Sequence, residues 1–262
     1  MAELLFWPAL LAYGEAAVAY AGNIRHPGSL GRAATWGVRI GWLVQTWLLV
    51  AQAARADGFP WSTWAGSLNL FVWLLVTGYL VWGCRPSYRV LGLVLMPLAA
   101  GLLAVSYVAG GVSSDTGGNF STAFLALHVG LVLAAFAGFT LSAGLAGVYL
   151  WQERRLKRRT AGILRPQAPA LVALDELSAK TIVVALPALT VGIAIGLGRL
   201  FERGGGIDAL MAATLLTWCA YAALLVVRYG LGWRGRRVAF LLLAGFALVV
   251  TVHLALPASH FA

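Results

Sequence analysis

Four histidines, His26, His128, His253 and His260, are the side chains of this chain best suited to chemistry. A neutral imidazole is a good ligand for haem iron, and two imidazoles from different helices can clamp a porphyrin edge-on between them. His128, His253 and His260 fall within or just beyond long apolar stretches. Ionisable groups are rare there and tend to face a bundle interior or a cavity. His26 stands beside Pro27 in a short connection and reads as solvated. A lone buried histidine can equally be a hydrogen-bonded structural residue, so the pairing of two on one side of a membrane is what would make a ligand site. Glu15, Gln45 and Asn69 are the other polar groups inside apolar stretches. Each can act as interhelical glue worth about 1 kcal/mol, and Arg39 is the candidate partner for Glu15. Cys84 and Cys219 form no CxxC pair, which argues against thiol–disulfide chemistry. No Ser-His-Asp order, phosphate loop, HExxH or paired catalytic carboxylate pattern occurs, so the chain reads as a binder rather than an enzyme.

The elements that must position these groups are membrane helices. Of the 262 residues 61% are hydrophobic and 11% charged, and the mean hydropathy is +0.84. A soluble globule cannot have this composition. A spanning helix needs roughly 20 apolar residues to cross a core about 30 Å thick. Eight stretches qualify: Leu4–Ala21, Ala34–Ala54, Gly66–Gly83, Val90–Ala109, Thr122–Trp151, Thr181–Leu200, Ala209–Val227 and Val238–Leu256. The predicted fold is all-α, a polytopic bundle of eight transmembrane helices forming one integral membrane domain over residues 1–262.

Lys and Arg set the orientation. Arg25, Arg32, Arg85, Arg89, the seven from Arg154 to Lys180, and Arg228, Arg234, Arg236 and Arg237 all lie in connections after odd-numbered spans. Only Arg55, Arg199 and Arg203 lie on the opposite side. The asymmetry predicts a bacterial inner membrane protein with both termini outside. His128, His253 and His260 then all lie toward the outer face. The net charge of +10 is explained by topology and by attraction to anionic membrane lipids rather than by nucleic acid.

Three connections stand out. The basic loop 152–180 opens with WQERRLKRRT and is interrupted by Pro166 and Pro169. Ala168–Lys180 is amphipathic, with Leu171, Leu174 and Leu177 opposite Asp175, Glu176 and Lys180, and is expected to be a short interfacial helix. Asp57–Trp64 brings Trp61 and Trp64 to the outer interface, where indole anchors well and where both join the candidate site. Val112–Phe120 is rich in glycine and serine.

The stretch LHVGLVLAAFAGFTLSAGLAGVYLWQERRLKRR (Leu127–Arg159) resembles the CcsA/CcmC cytochrome c assembly superfamily, most closely its HemX-like branch. ALDELSAKTIVVALPALTVGIAIG (Ala173–Gly196) and TWCAYAALLVVRYGLGWRGRRVAFLLLAGFALVV (Thr217–Val250) continue the likeness. The resemblance implies haem handling at the outer face, with His128 and, in LPASHF, His260 as axial ligands. His253 has no clear family counterpart. Two places depart from the family pattern: RLFERGGGIDAL (Arg199–Leu210) replaces a tryptophan-rich segment, leaving Asp208 as its remnant, and Gln45 replaces a buried histidine. The expectation is a haem-handling protein of cytochrome c biogenesis that takes haem b and works with maturation partner subunits. The alternative is a non-haem scaffold that recruits a haem-biosynthesis enzyme through the basic loop.

Overall fold

The computed structural model describes residues 2–25, 28–55, 59–61, 63–83, 88–111, 122–158, 169–203 and 208–255. Among these residues the chain is all-helical, with α1 Ala2–Arg25, α2 Ser29–Ala53, α3 Trp64–Gly83, α4 Arg89–Val108, α5 Thr122–Lys157, α6 Leu171–Arg203, α7 Ala209–Tyr229 and α8 Arg236–Ala255. Each helix covers one of the eight apolar stretches. Six of them (α1 and α3 to α7) are long and apolar enough to cross a membrane. The large apolar side chains left exposed, such as Leu4, Leu11 and Val18 of α1 and Val184 of α6, suit lipid rather than water. It is a helical membrane protein.

The helices form two compact units, Met1–Ala126 and Leu127–Ala262. In the first, α1 packs on α2 and α4, and α3 packs on α4. Phe6, Ala9, Tyr13, Ala16 and Tyr20 are buried at alternating spacings of three and four, which keeps them on one face of α1. Small residues let the backbones close in around the aromatic ones. A side chain at Gly41 would strike the Tyr13 ring, and one at Gly92 would strike Tyr20 and Tyr79. Between α2 and α3 a reciprocal brace forms. Trp42 Nε1 donates to Thr77 Oγ1 and Trp73 Nε1 to Thr46 Oγ1, both at 2.8 Å, while the two indoles stack at 5.8 Å.

In the second unit the core contains Ala135, Phe139, Ala143 and Ala146 of α5, Ile182, Ala185 and Leu189 of α6, Tyr221 and Leu224 of α7, and Val238 and Leu242 of α8. The Phe139 and Tyr221 rings stack at 3.8 Å. Helix α5 runs on through the charged ERRLK segment because no glycine or proline falls between Val148 and Lys157. The expected short interfacial helix is instead the opening of α6, which continues unbroken from Leu171 to Arg203. Its leucines are not laid on a surface. Leu174 and Leu177 are buried together with Ser178, and packing of this face on the other helices makes a single long helix the better solution. Gln152 Nε2 donates to the Pro169 carbonyl at 2.7 Å and so ties the end of α5 to the approach of α6.

Candidate functional site

Helix α5 begins at Thr122 and sets His128 against α6. The imidazole Nδ1 lies 2.8 Å from the carbonyl oxygen of Gly192. A carbonyl can only accept, so Nδ1 carries the proton and Nε2 is the base nitrogen. Ligating histidines are commonly held this way, with one ring nitrogen spent on an orienting acceptor and the other basic. Gly196 lies one turn further along the same face of α6, under the ring. A Cβ there would fall 2.7 Å from Cε1, 3.3 Å from Nδ1 and 3.5 Å from Nε2. The close approach runs down the whole seam between the helices. Gly192 faces Val132, Gly138 faces Ala185, and Ser142 Oγ donates to the Ser178 carbonyl at 2.9 Å. The residues present therefore fit one imidazole ligand to a metal centre.

Of the other predicted site residues, His260 and His26 lie outside the described residues. His253 is on α8, with its side chain likewise outside them. The expected approach of His128 to His260 falls there too. Trp61 and Trp64 belong to the first unit. Trp64 is exposed at the start of α3, as an interfacial anchor would be. Trp61 is not a simple anchor, because its Nε1 donates to Gln52 Oε1 at 3.3 Å.

That bond belongs to a buried chain of amides. Tyr13 Oη donates to Gln45 Oε1 at 2.7 Å. Gln45 Nε2 donates to Asn69 Oδ1 at 3.0 Å and to the Asn69 carbonyl at 3.1 Å. Asn69 Nδ2 donates to Gln52 Oε1 at 3.1 Å, and Gln52 Nε2 to the Gly111 carbonyl at 3.0 Å. Gln45, Asn69 and Gln52 are almost wholly buried, and both faces of each amide are used. Glutamine at position 45 is thus part of a structural network and offers nothing to iron. Glu15 lies on the exposed side of α1, and the guanidinium of Arg39 sits over the Trp36 ring at 5.0 Å. Asp208 has a local role, capping α7 by accepting from Met211 N–H at 2.7 Å.

One polar centre was not anticipated. Asp175, expected on a solvated face, holds Arg228 in a bidentate pair at 2.9 and 3.0 Å, and its Oδ1 also accepts from Gly235 N–H at 3.0 Å. Arg228 is only 7% exposed. The carboxylate thereby joins the start of α6, the end of α7 and the turn into α8. Gly235, at φ 71°, adopts the left-handed conformation that this turn requires. The available signal was the pairing of a lone aspartate in an apolar helix with an arginine at a span end, and charge counting assigned that arginine to topology.

Residues 61–256, three-quarters of the chain, match the family described as Cytochrome C assembly protein. The chain belongs to that family. Among similar members, the cytochrome c biogenesis protein CcsA of Picosynechococcus sp. is 27% identical, over 96% of this chain and 90% of its own length. The CcsA proteins of Microcystis aeruginosa and Gloeobacter violaceus are 25% and 23% identical, over 83% and 80% of this chain and 82% and 78% of their own lengths. No solved structure matches. Within this family member, the matched region contains His128, Gly192, Gly196 and the Asp175–Arg228 pair.

Proposed function

We propose that this member of the cytochrome c assembly family serves cytochrome c biogenesis by binding or presenting haem, with His128 as one axial ligand and His260 as the other. The role in cytochrome c biogenesis rests on the family and on relatives that carry that name. The observation that carries the haem reading is the hydrogen bond from His128 Nδ1 to the Gly192 carbonyl, which supports Nε2 as the ligand nitrogen. His253 is a reserve ligand, and Trp61 and Trp64 would anchor their own unit at the membrane interface. Haem b, when bound, supplies an iron that accepts imidazole nitrogens and the porphyrin to be delivered. In this reading the chain's own part is to hold and orient haem, working with maturation partner subunits.

The reading places one membrane domain of eight spans in a bacterial inner membrane, both termini outside. It is supported by the distribution of Lys and Arg. Arginines stacked on aromatic rings near the proposed cytoplasmic ends of α5 and α8 also favour it: Arg155 over Trp151 at 4.6 Å and Arg236 over Phe240 at 5.4 Å. The short connection between α6 and α7 supports the finer placement in the HemX-like branch. The rival, a scaffold recruiting a haem-biosynthesis enzyme through the basic loop, has no comparable support, since the relatives are named for cytochrome c biogenesis.

The test is the visible spectrum of the purified protein, oxidised and reduced, beside His128→Ala and His260→Ala. A Soret band with sharp reduced bands, lost in either variant, is the expected result. A protein that stays colourless after haem addition overturns haem binding and turns attention to residues 151–180.

A further inference from the structure

We infer that Gly196 is a positioning residue for His128, because only a residue without a side chain lets the imidazole reach the Gly192 carbonyl and hold the tautomer that presents Nε2. The inference rests on the haem reading for its purpose, yet the seat is a property of the protein without haem. Three observations carry it. The Nδ1 to Gly192 oxygen distance is 2.8 Å, which requires Nδ1–H. The Nδ1–Cε1 edge of the ring lies where a Cβ of residue 196 would sit, 2.7 Å from Cε1, closer than real Cβ contacts come. The histidine is a side chain with two rotatable bonds, so it can give way where a backbone could not.

An alanine at 196 therefore moves the ring instead of breaking the helix pair. To regain an ordinary contact the ring must retreat by about 1 Å, and a hydrogen bond does not survive such a change in length and angle. Once Nδ1 loses its acceptor, the Gly192 carbonyl no longer selects that tautomer. Nε2 is then no longer held as the base nitrogen.

Gly138 provides the control. A Cβ at 138 would meet the Ala185 Cβ at 2.7 Å, an overlap of the same size in the same seam. Its nearest neighbours are atoms of Ala185 and Thr181 rather than the histidine ring or the Gly192 carbonyl. Gly138→Ala thus disturbs packing without touching the seat.

The experiment is ¹⁵N NMR of histidine-labelled protein without haem in detergent micelles, assigned to His128 with His128→Gln, together with haem titration of the same samples. Wild type and Gly138→Ala should show Nδ1–H at His128, and Gly196→Ala should lose it. Haem affinity should fall about 10- to 100-fold in Gly196→Ala, the usual range for loss of an orienting partner, and much less in Gly138→Ala. An unchanged tautomer in Gly196→Ala overturns the inference. An equal tautomer change in both glycine variants also overturns it, because general packing would then be the cause. If wild type binds no haem while Gly196→Ala alone shifts the tautomer, the seat stands and the haem reading falls. If wild type binds haem and Gly196→Ala binds it equally well, the haem reading stands and the positioning role falls.

Discussion

The first unit and the second satisfy their buried polar groups with a different balance of partners. In the first, side chains bond largely to one another: Tyr13 to Gln45, Gln45 to Asn69, Asn69 and Trp61 to Gln52, Trp42 to Thr77 and Trp73 to Thr46. In the second, His128, Ser142 and Gln152 bond to backbone carbonyls, and one ion pair, Asp175–Arg228, closes the far end of α6. An amide bonded at both its oxygen and its nitrogen has no capacity left for a ligand. An imidazole anchored through Nδ1–H carries its basic character on Nε2. The first arrangement makes a rigid part, and the second is the part to which the proposed haem ligand belongs.

That contrast can be broken at three points. The largest effect should come from Asp175→Ala, which leaves Arg228 buried without its carboxylate and Gly235 N–H without an acceptor. Loss of one partner of a buried pair costs about 3–5 kcal/mol, so thermal unfolding in detergent should drop sharply. A variant as stable as wild type would show that lipid headgroups or water replace the carboxylate. Next is Gln45→Leu, which strands the Tyr13 hydroxyl and one amide of Asn69. The cost should be about 1–3 kcal/mol, and the spectrum of any bound haem should not change. A lost or shifted Soret band in this variant would erase the division between a rigid unit and a coordinating one. Asp208→Ala should be the mildest, about 1 kcal/mol for an N-cap, read as an earlier thermal midpoint. If it abolished haem binding instead, Asp208 would be part of the site and not merely the cap of α7.

Much of this was legible in the chain. The apolar stretches located all eight helices to within a few residues at most ends, because hydrophobic length is a local property that neighbouring residues determine together. The largest exception, the start of α6, shows what local reading lacks. Leu171, Leu174 and Leu177 have the spacing of an interfacial helix and equally that of a buried helical face. Only the neighbours that cover Leu174 and Leu177 decide between the two. His128 stands out in the sequence as an ionisable group in an apolar helix, but its acceptor at Gly192 is 64 residues away. Nothing in the local order around Gly192 and Gly196 indicates that a histidine ring fills the space beside Gly196.

The amino-acid sequence by itself determined a helical membrane protein of the cytochrome c assembly family, since composition, apolar length and family motifs are written in local order. The tertiary structure decided which polar groups find each other. Gln45 joins a closed amide chain, Asp175 holds Arg228, and His128 lies on a glycine face with Nδ1 committed to a carbonyl. A polar group in an apolar surrounding must be satisfied by whatever the fold brings within about 3 Å. Distances of that size between residues far apart in the chain exist only once the helices have packed.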